Sequence, residues 1–384
     1  MGFKKNITAE QQLVLLLSNP FFCAPHKKAV VKILAEAPHI CQDTVYSLAS
    51  ANGVAGFIYK NAEEFNLFSE KINLALQSAY KQTALKNMLM LKETLAVSKL
   101  LSDNEIPVVP LKGSSASDLI FNDFGVYPSG DIDILVPFTK LGKAKDILCR
   151  YADYSPVQGI EEQDLISSHY HLNLKKKYIL LEIHWTLTKR YFSIPHDFWW
   201  QGAEPFEWNT VPVFKLSIEN YILYNVFRLY DHCFYPLRFF SLLAGIITHH
   251  YADINWEKLL DSANRYKMYT LVVFTLKLMN DILQTRIPET MIQKKIMGYL
   301  FLKSLVLSGF FSGIQKQHGR MLFYTLLLVK PETLAGILLK RLFPSKGELR
   351  LRYNLPGNSK KIYLYYILNP FLLLFKKQEN IHNA

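Results

Sequence analysis

The sequence predicts an α+β protein, a small mixed β-sheet flanked by helical regions on both sides, and three observations carry that prediction. Apolar residues recur at helical spacing through most of the first hundred positions, short apolar runs bounded by Pro, Gly and Lys cluster between residues 104 and 216, and helical spacing resumes from Ser217 onward. The expected units are a helical region over 1–103, an α/β core over 104–216, and a helical region with a basic tail over 217–384. With 384 residues, 50% hydrophobic and 14% aromatic, the chain can bury a large core, which excludes a disordered class.

Helices are expected over Glu10 to Leu17, Lys27 to Ala37, Asp43 to Ala51 and Lys71 to Leu101, punctuated by Pro20, Pro25, Pro38 and Gly53. The last of these carries Leu74, Leu76, Leu85, Met88, Leu89, Leu91, Leu95, Val97 and Leu101, a stripe read as core packing. After Ile106-Pro107 the pattern shortens. Val108 to Leu111 reads as a buried strand running into Lys112-Gly113-Ser114-Ser115, with a helix over Ala116 to Asn122. A second strand, Asp131 to Val136, is followed by a helix from Lys140 to Tyr151.

Alternation along that second strand sends Asp131 and Asp133 to one face and Ile132, Ile134 and Val136 to the other. His169 to Lys175 and Tyr178 to Trp185 read as a further strand pair around Lys175-Lys176-Lys177. In the latter, Leu180, Glu182 and His184 share one face. An acid in so apolar a strand is costly unless paired or metal-bound, which makes Glu182 the candidate third carboxylate. A strand over Thr210 to Leu216 precedes helices over Ser217 to Tyr230, Leu237 to His249, Asn255 to Asn264, Thr270 to Leu283 and Thr333 to Leu342.

The net charge of +12 is uneven, because Gln315 to Lys377 alone holds an excess of +10. Such a tail suits an anionic membrane surface, a phosphorylated substrate or nucleic acid, although no specific nucleic-acid motif accompanies it. Lys346, Arg350, Arg352 and Tyr353 form its best patch for an anionic acceptor. No apolar run reaches the ~20 residues that span a bilayer. Cys23, Cys41, Cys149 and Cys233 are widely spaced and no signal peptide is evident, so reduced thiols and a cytoplasmic protein are expected. Peripheral contact with the inner face of a membrane through the basic tail is compatible with that location.

Taken together, the Gly-Ser turn and three acids suit phosphate chemistry. Backbone N–H groups at Gly113, Ser114 or Ser115, a serine hydroxyl of the turn and the ammonium of Lys112 would meet a triphosphate, and Asp131, Asp133 and Glu182 would hold two magnesium ions. The implied reaction is in-line nucleotidyl transfer.

These residues resemble the DNA polymerase β-type nucleotidyltransferases, whose signature is an apolar residue, Gly, Gly or Ser, then Asp-x-Asp and a third acid. The resemblance is closer to a bacterial branch of uncharacterised nucleotidyltransferases. It rests on Leu111-Lys112-Gly113, Pro128-Ser129-Gly130-Asp131-Ile132-Asp133, Glu182-Ile183-His184-Trp185, and Phe343-Pro344-Ser345 with Arg350-Leu351-Arg352-Tyr353. Where that branch usually has an Arg before Pro-Ser-Gly-Asp, this chain has Tyr127.

The resemblance implies a magnesium-dependent enzyme using an NTP and an unidentified acceptor, in a setting such as surface-polysaccharide metabolism. A non-catalytic nucleotide-binding or scaffold protein recruited to a membrane or assembly partners is the alternative. His169 and His171 have the i, i+2 spacing of ligands, but the sequence shows nothing nearby to complete a zinc site. His171 and His184 are therefore read as substrate-facing or hydrogen-bonded histidines.

Overall fold

The computed structural model describes residues 7–157, 166, 169–312, 317–353, 355–356 and 359–375. Lys316, Lys376 and Lys377 of the basic tail lie outside the described residues. The observed architecture is α+β, with a five-stranded mixed sheet, a separate two-stranded hairpin and helices on either side in sequence.

The first helices are α1 (Ala9–Leu17), α2 (Ala24–Glu36), α3 (Gln42–Ala51) and α4 (Ala55–Ala62). Thr8 and Gln11 cap α1 reciprocally, and Pro25 starts α2, where a missing N–H costs nothing. The helix α5 (Glu70–Ser102) runs 33 residues because no Gly or Pro interrupts it. Its apolar stripe is only partly core. Leu76, Val97 and Leu101 are buried, but Leu74, Leu85, Met88 and Leu89 are 56–65% exposed. The inward face also carries Asn87 and Thr94, polar groups that bond to loop carbonyls and to the Ser114 hydroxyl.

The sheet runs β1 (Val109–Pro110), β2 (Ile132–Leu135), β5 (Ile179–His184), β4 (His171–Lys176) and β3 (Ser155–Pro156), with only the β2–β5 pair parallel. Helix α7 (Leu141–Tyr151) follows β2, and α6 (Ser114–Leu119) follows β1. Ile132, Ile134, Leu181, Ile183, Leu172 and Leu174 pack on α5 and α7 in one core. The opposite face carries the polar residues, as strand alternation requires.

The hairpin β6 (Glu204–Trp208) and β7 (Val211–Lys215) closes through Asn209 and Thr210, both at positive φ, the turn that matches strand twist. Phe214 N–H donates to Val108 O at 2.8 Å and fastens the hairpin beside β1.

Helices α8 (Ile218–Asp231), α9 (Arg238–His249), α10 (Trp256–Arg265), α11 (Tyr269–Leu283), α12 (Glu289–Ile292), α13 (Tyr299–Ser312), α14 (Gln317–Leu328), α15 (Pro331–Leu342), α16 (Lys346–Tyr353) and α17 (Lys361–Phe375) follow. Leu13, Leu17 and Ile58 from the first helices share a core with Phe240, Phe274 and Phe310 from these. Among the described residues no helix is long and apolar enough to cross a membrane.

His26 joins the two helical ends. Its Nδ1 accepts from Cys23 N–H at 3.2 Å, and Nε2 reaches Leu283 O at 3.4 Å. Burial, partly opposed by that carbonyl, lowers its pKa below the ordinary 6.5. As pH falls below 6.5 the unfolded chain takes up the proton first, so this stability is present above 6.5 and is lost as pH falls through the depressed folded value. Urea midpoints measured from pH 7.5 to 5 should decline less steeply for His26→Asn than for the parent chain.

Candidate active site

Register assembles the site. In the parallel β2–β5 pair Asp133 stands opposite Glu182, and in the antiparallel β4–β5 pair His171 stands opposite His184 and Asn173 opposite Glu182. Because side chains alternate, Asp131, Asp133, Glu182, His184 and His171 emerge on the face turned away from the α5–α7 core. Carboxylate oxygens of Asp131, Asp133 and Glu182 lie within 4.8 Å of one another.

The Lys112 ammonium and the His184 imidazole sit among these acids. Lys112 Nζ lies 2.9 Å from Asp133 Oδ2 and 3.4 Å from Asp131 Oδ2. His184 Nε2 lies 3.1 Å from Asp133 Oδ1 and 3.3 Å from Glu182 Oε2. Burial opposes the charge on Lys112, but Asp133 and Asp131 outweigh it and hold its pKa above the lysine range. Burial likewise opposes charge on His184, and its bonds to Asp133 and Glu182 win, raising its pKa. Burial would raise Glu182, yet the His184 hydrogen bond, His171 and Lys112 hold its carboxyl well below the usual range. His171 goes the other way, pushed down to about 4 chiefly by burial.

The turn before α6 is built for close approach. Gly113 has φ +71°, and a Cβ there would lie 2.4 Å from Ser129 Oγ, so only glycine fits. Leu111 N–H donates to Asp133 O at 3.0 Å, tying the turn to the acid strand. The hydroxyls that follow are committed to protein. Ser114 Oγ pairs with Thr94 Oγ1 at 3.3 Å, and Ser115 Oγ donates to Lys112 O at 2.9 Å. What the turn leaves for an anion is backbone N–H groups and the Lys112 ammonium.

Sequence reasoning missed two supports. Arg228 on α8 is buried, 4.4 Å from the Phe239 ring centroid, with Nη1 donating to Asn225 Oδ1 at 3.3 Å. Burial works against its charge, and Tyr127, Tyr224 and Asp133 sustain it. A cation thus faces Tyr127, the position where a cation is missing from the chain's own strand. The signal was available, since Arg228 interrupts a run of buried Tyr, Val, Phe and Leu and needed a partner. Helix α8 is itself fixed to the turn by Tyr221, whose hydroxyl donates to Leu111 O at 2.7 Å.

The second support is Asn87, fully buried on α5. Its Nδ2 donates to Phe124 O and Tyr127 O, both at 2.7 Å, and its Oδ1 accepts from Ser129 N–H at 3.3 Å. One amide therefore holds the loop that delivers Asp131. Arg352 bonds to the helix that follows its own. It donates to Asn369 Oδ1 of α17 at 2.7 Å, which Tyr353 also does at 2.8 Å, and Arg350 lies on the same short helix.

A family described as uncharacterised nucleotidyltransferase matches residues 38–284, well over half the chain and the whole of the carboxylate site. No curated protein and no solved structure matches the chain.

Proposed function

We propose that the chain, which belongs to the uncharacterised nucleotidyltransferase family and so is a transferase of nucleotidyl groups, moves a nucleoside monophosphate from an NTP to an acceptor hydroxyl or phosphate. The observation that carries this reading is the convergence of Asp131, Asp133 and Glu182 beside the Gly113 turn and Lys112.

The donor set fits magnesium. It is all oxygen, and Asp133 Oδ2 is buried with no hydrogen-bond partner among the described residues, facing the Lys112 ammonium at 2.9 Å. Bound by these three acids, two magnesium ions would supply positive charge to the triphosphate and to an attacking hydroxyl. The chain's own groups do the rest. Gly113 lets backbone N–H groups approach the phosphates, Lys112 neutralises phosphate charge, and Arg228 keeps a fixed positive charge behind the acids. The acceptor is proposed from surface-glycan metabolism on the family resemblance alone.

The test is pyrophosphate release from each NTP with magnesium and candidate acceptors. Asp131→Asn and Glu182→Gln should each lose about 100-fold or more, on the order of 3 kcal/mol of transition-state stabilisation. Turnover equal to the parent in both variants would sink the reading.

A second reading, peripheral recruitment to an anionic membrane, has its own observation. On α17, Tyr363, Leu364, Ile367 and Phe371 are 55–67% exposed at helical spacing, just after Lys360 and Lys361. Vesicles with phosphatidylserine should co-sediment the protein at low salt and release it at high salt. Leu364→Glu with Ile367→Glu should abolish sedimentation, and no binding by the parent chain at low salt would end the proposal.

A further inference from the structure

Of the two histidines that the sequence left without a zinc-completing partner, His169 and His171, the second acquires partners in three dimensions. His171 and His184 face each other across the β4–β5 pair with ring centroids 5.1 Å apart, and Glu182 lies beside both. His184 Nε2 is 3.3 Å from Glu182 Oε2, and His171 Nε2 is 3.9 Å from Glu182 Oε1. One ligand atom from each of the three residues falls within 4.8 Å of the others. Ligands held about 2.1 Å from one ion lie roughly 3 to 4 Å from each other, so the backbone is already in place for a shared cation.

The hydrogen bonding points the same way. Among the described residues His171 Nδ1 and His184 Nδ1 have no hydrogen-bond partner, both are sealed from solvent, and His184 is only 3% exposed. At 3.9 Å the His171 Nε2 to Glu182 contact is too long to be a hydrogen bond. His184 keeps a bond from Nε2 to Asp133 Oδ1 at 3.1 Å, whereas His171 is paired on neither nitrogen among the described residues, a costly state for a buried polar group that a bound cation would relieve.

We propose that His171, Glu182 and His184 form a second metal site, selective for a divalent transition ion such as Zn²⁺, Mn²⁺ or Co²⁺. Two imidazoles and one carboxylate suit that series, whereas the all-oxygen group of Asp131, Asp133 and Glu182 suits magnesium. The site borrows Glu182 from the nucleotidyl-transfer reading and so couples the two cation positions through one carboxylate.

The experiment is a titration of the metal-free full-length protein with Co²⁺ in excess Mg²⁺, followed by visible absorption and by metal analysis after dialysis. One equivalent of Co²⁺ with ligand-field bands is expected. His171→Gln, at a side chain 16% exposed, and His184→Gln should each weaken binding about tenfold or more and alter the bands, while Asp131→Asn should keep them. Circular dichroism confirms which variants are folded, and His171→Asn serves if the glutamine variant is not.

Binding unchanged in a folded His171 variant would overturn the proposal, as would loss of Co²⁺ in Asp131→Asn equal to that in His171→Gln. The readout needs no turnover. A protein that binds Co²⁺ this way but releases no pyrophosphate keeps the metal site and loses the transferase mechanism, and the reverse result does the opposite.

Discussion

Asn87→Leu is expected to destabilise the protein by about 3 kcal/mol or more, the largest loss expected from a residue outside the acids themselves. Leucine matches asparagine in size, so packing on α5 changes little and the effect isolates the amide. Three backbone groups lose their partner at once: the carbonyls of Phe124 and Tyr127 and the N–H of Ser129. A buried backbone group left unpaired costs about 1–3 kcal/mol, and water entering to repair the loss would loosen the segment that positions Asp131.

The urea midpoint should fall accordingly, and amide exchange should quicken from Phe124 to Gly130 before it does elsewhere. A loss below about 1 kcal/mol, with exchange in that loop unchanged, would show that the loop holds itself.

The contrast between Asn87 and Asp131 shows what was legible. Asp131, Asp133 and Glu182 announced themselves because each sits in or directly before an apolar strand where alternation fixes the face, and alternation is a property of neighbours in sequence. The partners of Asn87 lie about forty residues away, and nothing local separates it from the Lys and Met around it. The long helix misled for a related reason. Periodicity marks an apolar stripe but not what covers it, and Leu85, Met88 and Leu89 proved to face outward.

Strand β6 was missed because Glu204-Pro205-Phe206-Glu207-Trp208 carries a proline and two acids, tolerable only on a two-stranded hairpin. Register was the larger gap. The sequence placed His171 and Glu182 on separate strands without saying that β4 and β5 bring His171 opposite His184, one step from the acid. The serines of the turn show the same limit in reverse, since Ser114 and Ser115 were legible as neighbours of a phosphate cradle while their hydroxyls bond within the protein.

Asp133→Asn should cost both activity and fold, where Asp131→Asn should cost activity alone. Asp133 has no side-chain exposure and stands between the Lys112 ammonium at 2.9 Å and the His184 imidazole at 3.1 Å. Neutralising it leaves Lys112 with Asp131 at 3.4 Å, and breaking a buried pair from one side costs about 3–5 kcal/mol. Asp131 is 27% exposed and its pair is longer, so its loss should move stability by about 1 kcal/mol or less.

Transfer, measured as pyrophosphate release under conditions where each variant remains folded, should drop about 1,000-fold in Asp133→Asn, equivalent to about 4 kcal/mol. The pairing of the two readouts separates the roles. If Asp133→Asn kept activity within tenfold while losing stability, Asp133 would be a structural counter-ion to Lys112 and the metal-binding reading of the acid strand would fall. If it lost activity with stability intact, the ion pair would contribute nothing to the fold, and Lys112 would be held in place by the Gly113 turn and Asp131.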